Sequence, residues 1–142
     1  MSTASSVDLA KRDATAFPRT RTIAYWVATG LVAGPAAIAG TIDILRIQPL
    51  FSQLLELGYP AYFGAILGTW KVLGAAALLA PGYPRVKEWA YAGMFIDYTA
   101  AIVSYVAVGA GTASNLSGPF LALAFLVASW ALRPPSRRVH TG

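Results

Sequence analysis

The segment GAILGTWKVLGAAALL, residues Gly64 to Leu79, carries a single lysine in the middle of an otherwise apolar run. A charge at bilayer depth costs about 2.5–3.5 kcal/mol on insertion scales, so Lys71 requires a partner. The only acidic residue embedded in comparably apolar sequence is Asp97, within AYAGMFIDYTAAIVSYVAV. Apolar runs of this length predict membrane-spanning helices, and the fold follows from how the rest of the chain joins them.

Composition gives the same class. Of 142 residues, 56% are hydrophobic and 12% charged, where a soluble domain carries about 25% charged residues. The net charge of +5 does not mark a nucleic-acid partner, because the basic residues stand at the ends of apolar runs and form no patch with interleaved aromatics. The chain has no cysteine and one histidine, His140, in its polar tail. That excludes thiolate chemistry, iron–sulfur and cysteine–zinc sites and makes a histidine-ligated haem implausible, so no metal site is expected.

Residues 1–21 form a basic arm, rich in Ser, Thr and Ala and without apolar periodicity, which is expected to be mobile. The apolar run after it exceeds the core of a signal peptide and reads as a retained first span, about residues 22–42, with Pro35 predicting a kink or local cavity. From Asp43 to Pro60, leucines and isoleucines recur at helical spacing opposite polar residues, which predicts a short amphipathic helix along the interface, with Pro49 in its first turn and Gly58 at its end. The second span is placed at 62–80, the third at 89–108 after the PGYPR loop, and the fourth at 117–132. Ser117 and Pro119 read as the start of that last span, leaving it about 16 residues, or about 24 Å. A basic tail, 133–142, follows. The expected fold is all-α: a four-helix transmembrane bundle with an interfacial helix between spans one and two.

Nine of the eleven basic residues fall on one side of this topology. The excess of positive charge predicts a multi-pass protein of a bacterial cytoplasmic membrane with both termini in the cytoplasm. With the second span running inward and the third outward, Lys71 and Asp97 share a depth about 14 Å from the cytoplasmic ends. Lys71 shares a helical side with Gly64, Gly68, Gly74 and Ala75, and Asp97 with Ala90, Gly93, Ala101 and Ser104. Small residues at such spacings predict close approach of the two helices.

Two readings of the pair stand side by side. In one it is a structural ion pair that sets helix register. In the other, Lys71 and Asp97 are an acid and a base, or an anchor for a polar head group such as a quinone carbonyl, with Trp70, Tyr98 and Ser104 lining the pocket. Asp43 and Arg46 read either as an interfacial pair three residues apart or, for Asp43, as a group at the pocket mouth. The Gly64/Gly68 spacing admits packing within the bundle or a homodimer. No nucleotide loop, zinc-protease motif or nucleophile elbow is present.

The stretch Leu57 to Gly109, with LGYP, LGTWKVLGAAALLAP and PRVKEWAYAG, resembles the DoxX-like family of small bacterial membrane proteins. The resemblance implies a four-helix membrane bundle and places Lys71, Lys87, Glu88, Trp89, Tyr91 and Gly93 on the family's motif positions. Relatives carry a histidine after the serine of the third span and an aspartate after its final glycine; Tyr105 and Ala110 stand there in this chain. That departure counts against a proton or metal role at those positions and leaves Lys71 and Asp97 as the main candidates.

The family name also implies an association with membrane redox complexes and thiosulfate:quinone oxidoreduction. Three functions are therefore entertained. The first is an accessory subunit of a redox, quinone-linked or stress-response system, with a soluble or membrane redox partner at the cytoplasmic face. The second is a small membrane enzyme, an isomerase, cyclase or hydrolase, doing acid–base chemistry on a lipophilic substrate. The third is a module that binds or transports a small solute.

Overall fold

A computed structural model describes residues 5–8 and 18–139, and all regular structure in them is helical. Four helices are long and apolar enough to cross a membrane: α1 (Arg19–Leu45), α3 (Ala61–Leu79), α4 (Pro84–Ala107) and α5 (Ala113–Leu132). A short helix, α2 (Leu50–Glu56), lies between the first two, and a 3-10 turn, Pro135–Arg137, follows α5. The basic arm lies mostly outside the described residues, but Arg19 and Arg21 already belong to α1. His140 is also outside them.

The four long helices form an antiparallel ring. The most extensive packing is α1 on α3, followed by α1 on α5, α4 on α5 and, thinnest, α3 on α4. Glycines explain the first: a Cβ on Gly68 would lie 2.4 Å from the carbonyl oxygen of Gly40, and one on Gly40 would lie 2.6 Å from that of Gly68. Only a residue without a side chain lets the two backbones come this close. Gly64 continues the stripe, with the position of its missing Cβ 2.6 Å from the Phe51 ring. The Gly64/Gly68 pair therefore packs inside the bundle, against α1 and α2.

Boundaries differ from expectation at three places, one of them the third span, which begins at Pro84 and not at Trp89. Asp43 does not begin an interfacial helix; α1 runs on through it to Leu45 and stops where Arg46 adopts a left-handed conformation (φ 56°) and Ile47 N–H reaches back to Ile42 O. The short helix follows Pro49, as expected, and buries Phe51 and Leu54. The fourth long helix begins at Ala113, where the Thr112 hydroxyl accepts from Asn115 N–H, and Pro119 sits within it. Its 20 residues span about 30 Å, enough to cross a bilayer without thinning it.

The buried core gathers toward one end of the bundle. Val32, Ala33, Ala36, Ala75, Leu78, Tyr91, Met94 and Leu126 form a continuous core toward the end that carries Arg21, Lys87, Arg133 and Arg137. At that basic end the polar groups satisfy one another. Ser129 exchanges hydrogen bonds with Thr29 and Tyr91, both at 2.7 Å. Lys87, fully buried, donates to the carbonyls of Ala77 (2.6 Å), Leu78 (3.2 Å) and Ala80, which end α3. Arg137 donates to two of the same carbonyls. A cation at a helix C-terminus supplies the donors that the last turn lacks and lies at the negative end of the dipole.

Candidate functional site

A cavity of about 1210 Å³ has walls from all four long helices and α2, and along α4 its lining runs from Arg85 to Tyr105. Its walls are largely apolar, and its charged groups at mid-bundle are Asp43, Lys71 and Asp97. Lys71 stands at the middle of α3, and its ammonium donates to Asp43 Oδ2 at 3.0 Å. Both side chains are largely buried, with 19% and 12% of their surface exposed.

The expected pairing of Lys71 with Asp97 is thus corrected: the partner is Asp43, on α1. The reason lies in side-chain direction. In a helix the Cα–Cβ bond tilts toward the N-terminus, so residues at one depth on antiparallel helices send their side chains apart. Lys71 on α3 and Asp97 on α4 are such a pair. Asp43 is one turn beyond Gly40, whose missing Cβ would lie 3.0 Å from the Lys71 Cβ. From there its carboxylate points back down α1 while the lysine points up α3, and the two meet.

Asp97 faces the same cavity, within electrostatic reach of both Lys71 and Asp43. No hydrogen bond or ion pair holds it among the described residues. The arrangement is therefore one closed ion pair with a second carboxylate beside it. Such a group of three can donate through the ammonium and accept through Asp97 without breaking the pair.

The other expected site residues divide. Trp70 lines the cavity at its rim and is 69% exposed on the outer face of α3. Tyr98 lines it from α4 while packing against the core. Ser104 does not line it; its hydroxyl exchanges a 2.7 Å hydrogen bond with Tyr59, tying the segment before α3 to α4 at the end opposite the basic one. Tyr105 reaches Gln53 of α2 at 3.5 Å in the same region. The interfacial pairing of Asp43 with Arg46 is not formed.

On α3 the expected small residues do close contacts, Gly64 and Gly68 with α1 and α2 and Gly74 with Met94 of α4, but those of α4 act differently from expectation. Ala90, Gly93 and Ala101 line the cavity, and a Cβ on Gly93 would meet nothing within 4 Å. They leave room where they were expected to bring helices together. Among the described residues no cluster of three or more His, Asp or Glu is placed to hold a metal ion.

Two groups have roles beyond those expected of them. Asp43, expected either in an interfacial pair with Arg46 or at the pocket mouth, lines the cavity as the partner of Lys71. Lys87 was read as a loop charge marking the basic face, yet it is fully buried. One signal pointed to it: it stands in the first turns of α4, where the helix dipole disfavours a cation, so another helix's C-terminus had to be near.

A profile of the DoxX-like family matches residues 14–129. No curated protein and no solved structure matches the chain.

Proposed function

The chain belongs to the DoxX-like family of membrane proteins, and from that premise we propose that it is an accessory membrane subunit of a redox, quinone-linked or stress-response system. The single observation that carries this reading is a largely apolar cavity that holds Lys71, Asp43 and Asp97 at mid-bundle. Its volume of about 1210 Å³ exceeds the usual range of small-molecule pockets, about 300–1,000 Å³. It suits a lipophilic ligand with a polar head.

A quinone fits these residues. When bound it supplies two-electron, two-proton chemistry, which the chain's own side chains lack. Lys71, held by Asp43, donates a hydrogen bond to a carbonyl oxygen of the head. Asp97 accepts from a hydroxyl or holds a proton at its carboxylate. Tyr98 covers an apolar face of the ring, and Trp70 stands at the rim beside the tail.

In this reading the protein sits in a bacterial cytoplasmic membrane with its basic end and both termini inward. The distribution of Lys and Arg supports that orientation. A soluble or membrane redox partner docks at the basic end, where Arg19 and Arg85 are exposed.

Titration of the detergent-solubilised protein with decylubiquinone, read by thermal shift and tryptophan quenching, tests the proposal. Wild type binds saturably. Lys71→Met weakens binding of decylubiquinone at least tenfold, and Asp97→Asn weakens binding of the reduced decylubiquinol at least tenfold, with melting of the unliganded Asp97→Asn protein unchanged. Absence of a saturable shift in wild type contradicts the reading.

A further inference from the structure

We infer that the cavity takes its ligand from within the bilayer, through a slot between α3 and α4, and that the ligand is a single-chain amphiphile whose head both donates and accepts hydrogen bonds. This rests on the assignment of the cavity as a ligand site and adds the route and the form of the molecule.

The slot is read from residues that line the cavity while facing outward. Trp70 and Leu73 of α3 and Trp89 and Ile96 of α4 all line it. Their exposures are 69%, 53%, 82% and 67%, so they belong to the outer surface of the bundle as well. Large side chains that border the cavity and stay this exposed mark its mouth.

The packing agrees. The α3–α4 contact is the thinnest in the ring; Gly74 of α3 takes the Met94 side chain, while Gly93, next to Met94 on α4, faces open space. Both helices qualify by length and composition as membrane spans, so a gap between them opens onto lipid chains. At the end of the bundle opposite the basic one, the Tyr59–Ser104 hydrogen bond straps the chain before α3 to α4. The rim of the slot is apolar and aromatic, and aqueous solutes gain nothing there.

What waits inside is polar. Lys71 offers a donor and Asp97 an acceptor, while Asp43 neutralises the lysine. A bare hydrocarbon chain reaching them leaves the Asp97 carboxylate desolvated with no partner. A head with a hydroxyl satisfies it. An alcohol, a hydroxylated ring or an amine on one chain meets these demands, with the chain leaving past Trp70 and Trp89 into the bilayer. A two-chained phospholipid does not, since its bulky phosphate head would have to pass an apolar rim.

The experiment uses the full chain in phosphatidylcholine vesicles with a twelve-carbon 1-alkanol carrying a diazirine on its chain; after irradiation, labelled residues are located by mass spectrometry. The alkanol is expected to label the inner wall around Gly93 and Asp97, and the matching diazirine alkane without a hydroxyl is expected to label it several-fold less. Gly93→Phe, which fills open space, should lower inner-wall labelling at least tenfold. Labelling of Ile23 and Val27 on the outer face of α1 should not change. Gly93→Leu serves as a second plug should the phenylalanine variant melt early.

An unlabelled inner wall, or equal labelling in the plugged variants, overturns the route. Equal labelling by alkanol and alkane overturns the requirement for a hydrogen-bonding head. Decylubiquinone added as competitor separates this inference from the functional reading. Inner-wall labelling that decylubiquinone fails to displace upholds the slot and its amphiphile and tells against a quinone as the ligand.

Discussion

Lys71 and Asp43 form a 3.0 Å ion pair across α1 and α3, on the wall of a cavity that a second carboxylate, Asp97, shares without joining the pair. The pair ties α1 to α3, while Asp97 stands outside it among the described residues.

Removing one partner should show this division. Asp43→Asn leaves the Lys71 ammonium uncompensated, and breaking a buried pair costs about 3–5 kcal/mol. The low end is expected here, because both side chains keep some exposure. The double variant Lys71→Met/Asp43→Leu should recover most of the loss, and Asp97→Asn should melt with wild type. Thermal denaturation in detergent checks all three; recovery of Lys71→Met by Asp97→Leu instead would show that the lysine is paired with Asp97.

The glycine contact between α1 and α3 makes a second demand. Gly40→Ala and Gly68→Ala each place a methyl group against an opposing carbonyl oxygen. Forced separation of the two helices should cost about 1–3 kcal/mol in each case. Gly93→Ala meets open space and should change melting little. The contrast tests the packing order directly, since a bundle closed between α3 and α4 would make Gly93 the sensitive position.

At the basic end, Lys87→Met removes donors from the carbonyls that end α3. A buried acceptor left without a partner costs about 1–3 kcal/mol, and Arg137 retains two of them. A loss of about 2 kcal/mol is expected on those grounds, with faster hydrogen exchange confined to the end of α3 and the start of α4. Unchanged exchange there would show that Lys87 does not cap the helix.

The fold was legible because bilayer physics is read from composition. Long uncharged runs, the turn residues of PGYP and the clustering of Arg and Lys at one end leave few alternatives to an antiparallel bundle. What depends on side-chain direction was not legible in the same way. Equal depth on antiparallel helices suggested that Lys71 meets Asp97, whereas the tilt of the Cα–Cβ bond requires an offset partner, which Asp43 supplies once α1 is extended by one turn. Small residues were equally ambiguous: Gly40 and Gly68 close a contact, but Gly93, in a similar setting, leaves space. Sequence spacing gives the face on which a glycine lies and not whether another helix fills it. Lys87 was hidden because its partners are backbone carbonyls, which no side-chain pattern records.

The most direct test of the ligand assignment is the quinone content of lipid extracts from protein purified gently out of its native membrane. Close to one quinone per chain is expected for wild type, falling to the level of the surrounding lipid in Gly93→Phe. A wild-type extract with no quinone above that background, from protein whose melting does not respond to added quinone, would contradict it.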